Sequence, residues 1–408
     1  MLSIINIIQA YLSKIRRHCN AISLALNEVI AYNDCFEVPC AQDRDMNKEP
    51  ETRKRFIAAM LGFIFIVMLF SGCTPNQYIE YSNPEFLSYS TADPASSTNP
   101  IADPVTAPEP EPTTDINYRH EMRQFVQGIS AYMKDRKPGF AVIPQNGEHI
   151  AFGETGVFRE YMDAVDGIGR EDFLYGYEDE NAATPEEDRE FMRASMNIYR
   201  EYGKSVLVID YCSSPEKVRD SYDTNQEYGF ISFAADRREL NNIPDMPQPV
   251  FNENADDIRQ ISDAKNFLYI INPESFSSKS DFLDAIGGTN YDLVIVDLFF
   301  EDTPLSASDI ARIKVKENGA ERLVVCYMSI GEAEDYRYYW QDDWAESSPA
   351  WLGGENPDWE GNYNVKYWDP KWQGIIYGND RSYAKMILDA GFDGVYLDLI
   401  DAFEYYEQ

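Results

Sequence analysis

From residue 117 onward the chain repeats one pattern: a short run of β-branched, aromatic and aliphatic residues, then polar or helix-forming text. The runs are Phe140–Pro144 (FAVIP), Asp172–Gly176 (DFLYG), Ser205–Tyr211 (SVLVIDY), Gly229–Ala234 (GFISFA), Asn266–Ile271 (NFLYII), Asp292–Phe299 (DLVIVDLF), Arg322–Ser329 (RLVVCYMS) and Gly394–Leu399 (GVYLDL). Amphipathic segments such as Glu186–Tyr202, Ser277–Ile286, Ser306–Glu317 and Ser382–Ala390 lie between them. Continuous apolar strands alternating with helices predict an α/β fold with a parallel sheet covered on both faces. Eight such units over about 290 residues predict a (β/α)8 TIM barrel. An open doubly wound sheet is the alternative, but it calls for a phosphate-binding turn of the GxGxxG or GKS/T kind after a strand, and the sequence has none.

Upstream the text is different. A basic cluster (Arg53, Lys54, Arg55) precedes 15 apolar residues, Phe56 to Phe70, and then Ser71-Gly72-Cys73. The run falls short of the roughly 20 residues a membrane span needs and has the form of a secretory leader. Its ending is similar to a bacterial lipobox, which implies diacylation of Cys73. Residues 1–72 are therefore expected to be a leader, with 46–72 as the lipoprotein signal peptide and 1–45 as a mis-called start, since Met46 would open a normal one. Residues 73–116 are expected to be the lipid anchor and a disordered tether rich in Pro, Ser and Thr, and 117–408 the folded domain. The expected location is the bacterial cell surface or outer membrane, with membrane contact through the lipid alone.

The net charge is −35; residues 1–72 carry +1, so the remainder carries −36. That field repels nucleic acid and attracts cationic ligands. Of six cysteines, only Cys212 and Cys326 fall in the domain, both in apolar runs, which excludes a disulfide framework or CxxC metal pattern. Only His120 and His149 follow the leader. A Ser-His-Asp triad or a catalytic zinc site has little to draw on, so any catalysis should rest on carboxylates, with no cofactor and no metal.

Strand ends in such barrels carry the chemistry, and here they are dense in polar groups. FAVIP runs into Gln145-Asn146-Gly147-Glu148, Glu171-Asp172 opens DFLYG, VLVI ends in Asp210-Tyr211, and VIV ends in Asp297. VVCYMSIG runs into Glu332 through Arg337, and GVYL ends in Asp398 with Asp401 three residues on. Several carboxyls converging on one mouth would drive their pKa values apart, as acid/base pairs require. All six tryptophans lie between Trp340 and Trp372, in what reads as one long loop. At least half should pack that loop down, and the others could stack on sugars.

Three segments, VCYMSIGEAEDYRYYW (Val325–Trp340), WLGGENPDWEGNYNVKYWDPKWQGII (Trp351–Ile376) and GFDGVYLDLIDAFEYY (Gly391–Tyr406), resemble the endo-α-1,4-polygalactosaminidase family, glycoside hydrolase family 114. VIPQNGE (Val142–Glu148), GIGREDFLYG (Gly167–Gly176) and VLVIDY (Val206–Tyr211) resemble the second half of the same barrel. Here that half comes first, so the chain reads as a circular permutation cut after the strand Gly394–Leu399, with Glu121–Lys134 as the helix that would follow it. The resemblance implies hydrolysis of α-1,4-linked galactosamine-rich polysaccharide. It implies Asp398 as nucleophile or stabilising carboxylate and Glu171 as general acid/base, on strands expected to face each other across the mouth. Asp297, Tyr327, Glu332, Arg337, Asn146 and Asp210 become candidate substrate contacts, with Glu332 the rival for a catalytic role. The expected partner is a cationic amino-sugar polymer bound by a monomer. The alternatives are a non-catalytic polysaccharide-binding surface lipoprotein and, against the scarcity of histidine, a metal-dependent deacetylase.

Overall fold

Leu323–Ser329 is buried at all seven positions, which a strand achieves only when both sheet faces are covered. It is one of eight parallel strands. The computed structural model describes residues 116–407 apart from 154, 155 and 346; the leader, Cys73 and the tether lie outside the described residues. The strands are β1 Ala141–Pro144, β2 Gly167–Glu171, β3 Ser205–Tyr211, β4 Ile231–Ala235, β5 Phe267–Tyr269, β6 Leu293–Val296, β7 Leu323–Ser329 and β8 Gly394–Asp398. Five pair in the order β1-β8-β7-β6-β5 and three in the order β2-β3-β4. A parallel bridge between Gln145 and Gly169 joins β1 to β2. At the far edges Phe233 of β4 lies against Phe267 of β5, ring centroids 5.6 Å apart.

Seven of the eight expected strands form where the apolar runs are. The eighth does not: DFLYG is a loop, and the strand is the preceding Gly167–Glu171. Its two glycines hid it. A Cβ on Gly169 would stand 1.8 Å from the Tyr396 hydroxyl oxygen, and one on Gly167 would stand 2.9 Å from the Ser205 carbonyl oxygen. Close packing therefore forbids the side chains that would have given an apolar signature. The correction moves Glu171 from the start of a strand to its C-terminal end.

The helix Tyr118–Arg136 starts on Asn117, whose side chain accepts the His120 N–H at 2.9 Å. It buries Met122, Phe125, Val126, Ile129 and Met133, a stripe at helical spacing. It packs between the helices Arg159–Ala164 and Tyr383–Ala390. The two ends of the described region meet there: Arg119 pairs with Glu407 at 2.8 Å, and the rings of Tyr118 and Tyr406 lie 5.4 Å apart.

Two further readings change. The helix expected over Ser306–Glu317 stops at Ile313, because the chain turns inward to bring Lys316 onto Asp292 at 2.6 Å, both fully buried. The stretch after β7 is not one irregular loop. It holds an antiparallel sheet of Glu332–Glu334, Asn362–Val365 and Leu352–Glu355, in that order, and the helix Pro370–Ile376. Its strands are three or four residues long, too short to show periodicity. Trp344, Trp351 and Trp372 are buried in succession beneath it, centroids 5.0 and 5.1 Å apart, while Trp359 is 56% exposed.

Candidate active site

The C-terminal ends of β8, β1 and β2 lie side by side, with β1 in the middle. Asp398 closes β8 and Glu171 closes β2, so the two carboxyls stand on next-but-one strands. This corrects the expectation of facing strands: they flank the end of β1 rather than span the full mouth. Immediately after each strand the backbone enters the left-handed region at a non-glycine residue: Asn146 (φ 59°), Asp172 (φ 56°) and Leu399 (φ 60°). Such conformations cost about 1–3 kcal/mol each and collect where a site over-determines the chain.

Every oxygen of the pair has a donor. The Glu171 carboxyl accepts from the Tyr211 hydroxyl, from the Gln145 amide at 2.6 Å and from the Asn146 amide at 3.2 Å. Gln145 is aligned from behind by the Tyr269 hydroxyl at 3.1 Å. The Asp398 carboxyl accepts from the Tyr327 hydroxyl at 2.7 Å and the Leu399 N–H at 2.8 Å. Both carboxyls keep part of their surface open to solvent. Burial, and then the charge of Glu171, push Asp398 up to about 8. Burial, and then the charge of Asp172, raise Glu171 against the pull of its donors. Each carboxyl therefore disfavours ionisation of the other.

Tyr396 lies two residues before Asp398 and thus on the same face of β8. Its ring is fully buried, its hydroxyl presses on Gly169, and that hydroxyl has no hydrogen-bond partner. A cavity of about 390 Å³ is lined by Gly147, Arg170, Tyr177, Phe191, Asp401 and Glu404 among others; Glu171 and Asp398 are not among its lining residues, though Arg170 and Asp401 lie one and three residues from them. Burial, and then Glu404, push Asp401 up to about 7. Among the described residues no group of three or more His, Cys, Asp or Glu is placed to hold a metal ion.

Of the remaining residues singled out from sequence, Tyr327 and Asn146 join the pair as donors to it. Asp210 does not reach the site. It is fully buried and accepts from the backbone of Leu174 and Tyr175, from Ser221 and from Asn225, behind β3. Asp297 and Arg337 are spent on each other at 2.8 Å, with Glu334 completing a buried ion group at 2.6 Å from Arg337. Arg337 also reaches the wall of a second cavity of about 390 Å³, beside Tyr336, Tyr338 and Trp340. Glu332 is buried, takes one bond from Asn356 at 2.8 Å and leaves its other oxygen without a partner. Sequence reasoning gave no role to Gln145, Tyr211, Tyr396 or Arg238. The parity of a strand could have found Tyr211: Asp210 and Tyr211 are neighbours, so only one faces inward, and it is the tyrosine.

Two hydrogen-bonded carboxyls at the carboxyl ends of parallel strands match the layout of glycoside hydrolases. Residues 252–408 match the model of glycoside-hydrolase family GH114. It is 39% identical over 183 residues to an uncharacterized protein of Methanocaldococcus jannaschii, covering 44% of this chain and 49% of that one. It is 44% identical over 127 residues to an uncharacterized protein of Deinococcus radiodurans, covering 31% and 38%. The chain thus spans about half or less of the length of the curated relatives it matches. A chitinase from Bacteroides thetaiotaomicron superposes at a TM-score of 0.34 and 7% identity, over 64% of this chain and 90% of that one, too loosely to bear on the fold.

Proposed function

We propose that the chain is a glycosidase that cleaves α-1,4-linked galactosamine-rich polysaccharide with Asp398 and Glu171. The observation that carries this is the pair itself: two acids at the ends of next-but-one strands, each carboxyl held by tyrosine and amide or backbone donors. A glycosidase needs one carboxylic acid to protonate the leaving oxygen and one carboxylate to attack or to stabilise the sugar cation. The family resemblance assigns Asp398 as nucleophile or stabilising carboxylate and Glu171 as general acid/base; attack from Asp398 needs it ionised and donation from Glu171 needs it protonated. The acidic charge of the domain suits a cationic amino-sugar polymer.

The proposal includes a closed (β/α)8 barrel, circularly permuted. It is supported by the pairing of β8 with β1, the contact of β4 with β5, and the helix Tyr118–Arg136 lying where a β8-to-β1 helix belongs. The family match begins at residue 252 and takes in β5 to β8, the half that comes second here. Export and lipidation at Cys73 complete the proposal. Incorporation of labelled fatty acid, lost in Cys73→Ala, tests them, and an unlabelled native chain would rule the anchor out.

Hexosamine polymers incubated with the protein should yield shorter fragments, and Glu171→Gln should yield none. With Asp398→Ala, added azide should restore cleavage as a glycosyl azide. A glycosyl azide of inverted anomeric configuration from the Glu171 variant instead would reverse the two roles, since azide standing in for the nucleophile inverts the sugar carbon. Binding without cleavage by the native protein on every polymer would leave a polysaccharide binder in place of the enzyme.

A further inference from the structure

Arg238 lies in the loop after β4, two strands away from β2, yet its side chain ends beside Glu171. Its guanidinium forks onto the Asp172 carboxylate at 2.8 and 3.3 Å and donates to the Gly176 carbonyl at 2.6 Å. The same group lies 4.1 Å above the Tyr211 ring, the ring whose hydroxyl donates to Glu171. Its own backbone N–H is fixed on Glu180 at 3.0 Å. Gly176 makes the room for this: a Cβ there would stand 1.9 Å from the Asp172 carboxylate.

We propose that Arg238 is a positioning residue for Glu171: clamped on Asp172 and stacked on Tyr211, it cancels the charge next to the catalytic carboxyl and fixes the phenol that holds it. The inference rests on the glycosidase reading for the word catalytic, but the electrostatic tie stands on geometry alone. Asp172 is the residue after Glu171, so its charge stays close to that carboxyl. Without a counter-ion it would repel Glu171's negative form. A flat guanidinium over an aromatic face is attracted to the ring and restrains it, where a flexible ammonium would do so less well.

Glu171 is faced from several elements: Asp398 and Tyr396 on β8, Tyr211 on β3, Tyr269 on β5, Asp401 after β8, and Asp172 with Arg238. Only the last two form a pair whose members act on Glu171 with opposite signs. That gives the test its force. The titration of Glu171 is followed by carboxyl carbon NMR on the full chain labelled at glutamate, with Glu171→Gln identifying the signal. Arg238→Ala leaves Asp172 uncompensated, and the Glu171 midpoint should rise by about one pH unit. Asp172→Asn leaves Arg238 uncompensated, and the midpoint should fall by a similar amount. The double variant should return close to the native value. Arg238→Lys keeps the charge but loses the fork and the stacking, and should restore only part of the shift.

A merely structural Arg238 would lower thermal stability in both single variants and move the midpoint in neither, or in the same direction in both. Either result overturns the proposal. The pH profile of polymer cleavage should move with the NMR midpoint. If the midpoints shift as described while no polymer is cleaved, the tie of Arg238 to Glu171 stands and the glycosidase reading falls.

Discussion

Asp398→Asn should make this protein more stable, and only at the upper end of the pH range. In the fold the Asp398 carboxyl is pushed from its usual 3.8 up to about 8, by burial and by Glu171. The folded state therefore holds that proton more tightly than the unfolded chain. Below about pH 4 both states are protonated and the group has no effect on stability; as pH rises toward 8 the unfolded chain ionises freely and the fold resists, so stability falls. Four units at about 1.4 kcal/mol per unit sets a ceiling of roughly 6 kcal/mol. Part of that shift is repulsion by Glu171, and both residues keep some exposed surface, which brings the expected effect to about 2 kcal/mol. Asparagine keeps the shape: its oxygen can take the Leu399 N–H, and its amide can donate to the Tyr327 hydroxyl, which is able to accept. Thermal unfolding of both proteins between pH 4 and 8.5 should show equal midpoints at the acid end and a gain of about 4 °C for the variant at the alkaline end. A gap independent of pH, or none, would refute the reasoning that the pair is held at the expense of the fold.

Other expectations follow from contacts already described. Gly169→Ala drives a methyl into the Tyr396 hydroxyl and should cost about 1–3 kcal/mol with loss of cleavage. Adding Tyr396→Phe should recover much of that stability, since the hydroxyl has no partner to lose; a purely additive double variant would count against the contact. Lys316→Met strands the buried Asp292 charge and should cost about 3–5 kcal/mol by urea unfolding, with a native pH profile of cleavage in the material that folds. Trp359→Ala should leave the unfolding midpoint within about 1 °C of native, because surface substitutions of this kind fall within about 0.5 kcal/mol.

The strands could be read because burial on both faces writes an apolar run for each, and seven of eight wrote one. β2 could not, since tight packing replaced its inward side chains at 167 and 169 by hydrogen. Glu171 and Asp398 were legible as acids at strand ends. Which of the strand-end acids come together was not. Asp210 and Asp297 occupy equivalent places in the text, yet one is sealed by Ser221 and Asn225 and the other is neutralised by Arg337. Those partners arrive from sequence 11 to 40 residues away, a distance over which no local pattern speaks. Arg238 lies further still from its target, 66 residues beyond Asp172.

The pairing of β1 with β8 sets a condition on biosynthesis. Ala141 emerges early and its neighbour Gly394 about 250 residues later, so one edge of β1 stays bare while nearly the whole domain is made. Closing so long a loop is slow, and a bare edge invites pairing with other chains. Asp398 itself stands on the last of the eight described strands to leave the ribosome, and a nascent chain holds only half of its carboxyl pair until that strand is made.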